Sequence, residues 1–160
     1  MLITSEFLFF FAFFAYSGFI GSNFAEFAAQ GMQCSKIHAD YVLEKGGSID
    51  WLGQIQSNPT SASEQFKELL NRLSAKSQHV FVSFDIDSVR GSDAPGVSCP
   101  SPIGLTADDA LAMSYEAGRH PHVELFDISE LCPTAEEYRT PLLAAFMFYQ
   151  FCLGYAQRKN

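Results

Sequence analysis

Cationic residues are scarce in this chain. Its 160 residues carry 10 Lys and Arg against 18 Asp and Glu, a formal charge of −8. No stretch resembles the basic stripe that phosphate neutralisation requires, so nucleic acid is excluded as a partner. Cysteines are few and scattered: Cys34, Cys99, Cys132 and Cys152 share no C-x-x-C or Cys/His spacing. That excludes a zinc ribbon and argues against a disulfide framework, leaving reduced intracellular thiols or core fillers. A phosphate loop is missing too, because no Gly-Lys-Ser/Thr accompanies the glycines of residues 91–104. Internal repeats are absent.

The one long apolar run stands at the front, MLITSEFLFFFAFFAYSGFIG over residues 1–21. Three readings compete. A signal peptide would supply such an apolar core, but this segment carries Glu6 and no Lys or Arg. A membrane anchor needs about 20 apolar residues, more than the clean run offers. The preferred reading is sequence foreign to the domain, for example from a wrongly placed start. Residues 1–22 are therefore set apart as an apolar leader, and 23–160 as one soluble α/β domain whose beginning is expected to be lost. A cytoplasmic location is expected, with membrane association or secretion through the leader as the alternative.

Along the chain, residues 23–33 form a strand entering a turn at Gly31, with helix as a competitor because of the alanines. Ser35 caps a helix that ends at Gly46-Gly47. Residues 48–52 form a short strand. Ser61 or Ser63 caps the next helix, whose Phe66, Leu69, Leu70 and Leu73 share one face. Thr106 followed by Asp108 and Asp109 announces a further helix, continuing to Gly118. A strand over 122–128 follows. Thr140-Pro141 opens a last helix that is apolar nearly all round, expected to be buried on more than one side. The order β-α-β-α-β-loop-α-β-α predicts a three-layer αβα fold around a mainly parallel sheet.

One stretch invites chemistry: HVFVSFDIDSVRGSDAPGVSCPSPIG, residues 79–104. Its apolar strand ends in Asp85-Ile86-Asp87. Side chains at i and i+2 of a strand point the same way. Two carboxylates crowded at a dry strand end are costly unless a cation or proton joins them. A Pro/Gly loop follows, of the kind that lines sites beyond strand ends. The later strand ends LFDISE, so Glu130 belongs on the same rim. Hard oxygens without thiolates or clustered imidazoles point to Mg²⁺ or Mn²⁺ rather than zinc.

SFDIDS, then APGVSCPSPIGLT, then LFDISE together resemble the C-terminal half of the ureohydrolases, the family of arginase, agmatinase and formimidoylglutamase. The resemblance runs from about Phe24 to the C-terminus and is strongest over 81–139. It implies the arginase-like fold, truncated at its N-terminal half. It also implies that Asp85 and Asp87 match aspartates bridging two Mn²⁺ ions, and that Glu130 matches the acid beside the substrate's cationic nitrogen end. The implied reaction is hydroxide attack on the carbon of a guanidino or formimino small molecule. The Gly96-Val97-Ser98-Cys99-Pro100 loop and Arg139-Thr140 look more like formimidoylglutamase, which would release glutamate and formamide; an arginase or agmatinase type is the alternative.

One departure stands against these matches. The family's His-bearing segment and its Asp-x-His-x-Asp segment are missing. The histidines here are His38, His79, His120 and His122, each in a context that reads as surface, strand edge or turn. The competing reading is therefore a non-catalytic, truncated paralogue, whose role would be to pair with full-length subunits; a homo-oligomer is a further reading.

Overall fold

The computed structural model describes residues 21–158 and the backbone of Leu2–Ile3. The reading of residues 1–22 as a leader falls almost wholly outside the described residues. Among the described residues, five strands and five helices carry the fold: β1 (Leu2–Ile3), β2 (Ala25–Ala29), α1 (Lys36–Glu44), β3 (Ser48–Trp51), α2 (Leu52–Ser57) and α3 (Ala62–Ser74), followed by β4 (Val80–Asp85), α4 (Ala107–Arg119), β5 (Val123–Ser129) and α5 (Arg139–Ala156). β4 lies between β1 and β5, β2 pairs with β3, and every one of these pairings is parallel. The connections β3→β4 and β4→β5 carry α3 and α4, which pack on one another. Parallel strands joined by helical crossovers give the αβα arrangement.

β4 is the central strand because its residues are apolar on both faces. Val80, Val82 and Phe84 are buried, and Phe81 is half-buried. Its one buried hydroxyl is satisfied, since Ser83 Oγ donates to Asp127 Oδ1 on β5 at 2.7 Å. α3 is held at its start by Ser61, whose side chain accepts from the Glu64 amide. Its Phe66, Leu69, Leu70 and Leu73 enter the core, and Phe66 meets Phe27 of β2 edge-on at 5.6 Å. α4 begins with a capping box: Thr106 accepts from the Asp109 amide, and Asp109 accepts from the Thr106 amide. α4 and α5 cross almost backbone to backbone. A Cβ added to Gly118 would lie 2.0 Å from the Phe151 carbonyl oxygen, and one on Gly154 would lie 2.2 Å from that of Tyr115.

Several local expectations change. α2 is a helical turn directly after β3, where a strand running to Leu52 and then a loop are expected; Leu52 and Ile55 drive it by entering the core. None of the cysteines is a core filler: Cys99 and Cys152 are exposed, Cys34 and Cys132 half-buried, and all are free thiols. His120 is buried rather than exposed at its turn. Its Nε2 sits 3.3 Å from Asn71 Oδ1, and its Nδ1 lies 3.3 Å from the His122 amide. Burial, with His122 and Arg158 nearby, holds its pKa below the ordinary histidine range. α5 is buried on one side only: Leu143 and Met147 enter the core, while Phe146, Phe148, Tyr149 and Tyr155 are exposed. Among the described residues no helix is long and apolar enough to cross a membrane.

Candidate metal centre

Asp85 is the last residue of β4 and Asp87 lies in a single 3₁₀ turn, Ile86–Ser88, that ends it. β4 and β5 pair in register Asp85↔Ser129, so Glu130 follows the residue directly beside Asp85. The three carboxylates converge: each offers an oxygen, and these atoms all lie within 4.8 Å of one another. Asp85 and Asp87 are buried, 1% and 2% exposed, and Glu130 is half-buried. Glu130 holds a φ of +63°, a left-handed conformation that side chains with a Cβ disfavour. Strain of this kind persists where surrounding structure imposes it.

The strand-alternation argument places both aspartates on an extended chain, and the structure differs. Asp87 belongs to the 3₁₀ turn, whose shorter rise draws its carboxylate back toward Asp85. The juxtaposition is the same, with a different cause.

The long loop is pinned at several points. Ser101 Oγ donates to Gln30 Oε1 at 2.8 Å, tying the loop to the residue after β2. The Gly96 amide donates to Thr140 Oγ1 at 2.7 Å, and a Cβ at Gly96 would press on that threonine at 2.9 Å. Between these anchors Ser98 Oγ donates to Glu130 Oε2 at 3.3 Å. Gln30 and Ser98 carry no motif that single-residue reading could pick out. Ser98 was reachable only through its place in the loop.

The donor set suits a hard divalent cation. It is all carboxylate oxygen, largely dry, and dense in like charge. Two hydroxyls next to the cluster in sequence, Ser88 Oγ and Ser129 Oγ, are buried with no hydrogen-bond partner among the described residues. Water or a hydrated ion at the rim would satisfy them. Among the described residues this is the one group of three or more His, Cys, Asp and Glu side chains able to hold an ion, and no histidine enters it. Elsewhere, burial pushes Glu26 of β2 up to a pKa of about 7 and, with Glu26 beside it, raises the Cys34 thiol. Glu136 accepts from the amides of Tyr138, Arg139 and Thr140 at the start of α5, which lowers its pKa to about 2.

Comparison with known proteins bears on this rim. The formimidoylglutamase of Lysinibacillus sphaericus is 30% identical over 112 residues, covering 68% of this chain and 35% of that protein. The crystal structure of Trypanosoma cruzi formiminoglutamase, oxidised and with manganese, superposes with a TM-score of 0.90 and 38% identity; the match covers 99% of this chain and 55% of that one. An Entamoeba histolytica arginase shares the fold at a TM-score of 0.73 and 18% identity, over 82% of this chain and 43% of that one. The chain thus spans about half the length of these solved structures, and about a third of the curated relative. The Arginase family model matches residues 24–154, from the strand before Gln30 through Asp85, Asp87 and Glu130 into α5. This chain belongs to the arginase family.

Proposed function

We propose that the chain carries part of the active site of a metal-dependent hydrolase of linear amidine or guanidine C–N bonds, of formimidoylglutamase type. The observation that supports this most is the convergence of Asp85, Asp87 and Glu130 within 4.8 Å at the strand-end rim. Asp85 and Asp87 would hold Mn²⁺, two ions in a complete site, through hard oxygens. Bound there, such ions supply Lewis acidity and lower the pKa of water. Glu130 offers a carboxylate to the cationic nitrogen end of an N-formimino or guanidino substrate. Ser98 orients it by donating to Oε2. The fixed loop 91–104 keeps these groups in place and restricts water at the rim.

One observation favours a second reading. No histidine joins the cluster among the described residues, so three carboxylates alone would hold two ions loosely. On that reading the chain binds metal weakly and does not turn over by itself. Equilibrium dialysis with Mn²⁺, followed by assays for formamide released from N-formimino-L-glutamate and urea released from arginine and agmatine, separates the two. About two ions per chain with release from the formimino substrate supports the hydrolase. Less than one weakly held ion and no release supports the second reading, and turnover unchanged in Asp85→Ala removes the cluster from the chemistry.

A further inference from the structure

We infer that the turn from α4 into β5, residues 118–123, is an acid-released latch. Neutral His120 fastens the end of α5 to the start of β5, and a second proton on its ring releases both. The latch lies at the opposite end of β5 from the carboxylate rim and does not depend on the hydrolase reading.

The turn is built around one buried imidazole. His120 follows the last residue of α4 and is 8% exposed. Its Nδ1 accepts from the His122 amide at 3.3 Å. A neutral ring that accepts at Nδ1 carries its one proton on Nε2. Nε2 faces Asn71 Oδ1 of α3 at 3.3 Å, an acceptor suited to that proton. Both ring nitrogens are thus used, and in one tautomer only. The His120 carbonyl oxygen closes the turn by accepting from the Val123 amide at 3.2 Å.

The end of α5 is tied to the same six residues. Arg158 Nε donates to the Gly118 carbonyl oxygen at 2.6 Å, and its Nη2 donates to that of Val123 at 2.7 Å. One guanidinium therefore bridges the end of α4 and the first residue of β5. Tyr155 supports it from α5, with the guanidinium carbon 4.4 Å from the ring centroid. Arg158 reaches the turn because α4 and α5 touch at Gly118 and Gly154.

A closed turn has no place for a second proton. It would sit on Nδ1 and turn an acceptor into a donor aimed at the His122 N–H. The surroundings add to the conflict. Burial opposes a positive ring most, followed by His122 at the start of β5 and Arg158 beyond α5, and together they hold its pKa below the ordinary histidine value. Asn71 from α3 carries no charge. Glu116 of α4 acts the other way, but Arg119 already engages it at 2.9 Å. A histidine held in this way contributes stability above its free value of about 6.5, and that contribution is lost as pH falls. Opening gives the ring to water, frees the His122 amide and separates the His120 and Arg158 cations, so the guanidinium bridge is lost with it.

The test is amide exchange of the 160-residue chain at pH 7.5 and pH 5.5, corrected for the intrinsic rate. With one proton taken up on opening, protection of the His122, Val123, Gln157 and Arg158 amides should fall about tenfold between the two. The fall should vanish in His120→Asn, whose Oδ1 replaces the Nδ1 acceptor without titrating, and persist in His122→Gln. Arg158→Met should leave the end of α5 unprotected at both pH values. Equal protection at the two pH values overturns the inference, as does a fall that survives His120→Asn. So do latch amides that exchange no faster than those of Val82 and Phe84 in β4, which would mean global unfolding. Nitrogen-15 NMR of the unsubstituted chain needs no variant: at pH 7.5 it should show His120 neutral with its proton on Nε2, and a proton on Nδ1 refutes the latch.

Discussion

Replacing Asp85 by Asn tests the carboxylate cluster in two opposite directions at once. With ligand oxygens no more than 4.8 Å apart, two ionised carboxylates repel by at least about 3.5 kcal/mol at an effective dielectric of about 20. Asp85 takes part in two of the three pairs. Solvent and neighbouring groups screen part of that repulsion, so the neutral amide should stabilise the metal-free chain by on the order of 1–2 kcal/mol. For a domain of this size that raises Tm by about 2–8 °C. Mn²⁺ should do the reverse across variants. At a hundredfold excess over Kd it stabilises the unsubstituted chain by about 2.7 kcal/mol, or about 5–11 °C, and the Asn variant by little. Differential scanning calorimetry at pH 8, with EDTA or with Mn²⁺, reads both effects, and Asp87→Asn serves as a repeat. If Mn²⁺ raises Tm equally in all three proteins, the ion binds elsewhere. If Asp85→Asn lowers the metal-free Tm, the repulsion argument is wrong.

Three further outcomes follow from single residues. Glu26 is 8% exposed and its carboxyl is pushed up to about 7 by burial. Its contribution is fully present below the unfolded value of 4.5 and is lost as pH rises through about 7, a fall of roughly 3 kcal/mol. Urea unfolding at pH 5 and pH 8 should show this fall shrinking in Glu26→Gln, and an unchanged difference would mean that Glu26 titrates normally. At the α4–α5 crossing, Gly118→Ala gains up to about 1 kcal/mol of helix propensity. It also drives a methyl to 2.0 Å from the Phe151 carbonyl oxygen. A net loss of about 1–2 kcal/mol in chemical denaturation is expected, and a more stable protein would show that the helices separate freely. Glu130 at φ +63° should make Glu130→Gly more stable than Glu130→Ala by about 1 kcal/mol; equal stabilities would show that the left-handed conformation carries no strain.

What could be read from residues alone divides along a physical line. β4 was legible because a β-branched and aromatic run of that length has few uses other than a covered strand. α3 and α4 were legible because apolar spacing and local capping agree, and Ser61 and Thr106 do cap them through their side chains. α2 was not, since a six-residue helix containing Gly53 has little intrinsic stability and exists because Leu52 and Ile55 are taken into the core. His120 escaped for a similar reason: Asn71, its partner across the fold, is 49 residues away in sequence. α5 misled because an apolar helix reads as buried all round, whereas Phe146, Phe148, Tyr149 and Tyr155 of its outer face are exposed. At the rim, Asp85, Asp87 and Glu130 stood out as acids ending apolar strands. Ser98 and Gln30 did not, because a serine or glutamine in a loop becomes informative only once its partner is known.

The rim owes its shape to the way its strands stop. Two side chains at i and i+2 of an extended strand start roughly 6.6 Å apart, and a regular ending at Asp85 would leave two separated carboxylates. The 3₁₀ turn over Ile86–Ser88 shortens the advance to about 2 Å per residue, and the left-handed Glu130 turns the next strand's end toward the same point. Both irregularities cost conformational energy, and both are held by contacts that contribute no ligand. Leu105 donates its amide to the Ser88 carbonyl, and Ser98 holds the Glu130 carboxylate. Loop 91–104 therefore does more than cover the site, because it braces the endings of β4 and β5. A chain with the same Asp-x-Asp but without that brace would relax to the extended ending and lose the cluster while keeping the motif.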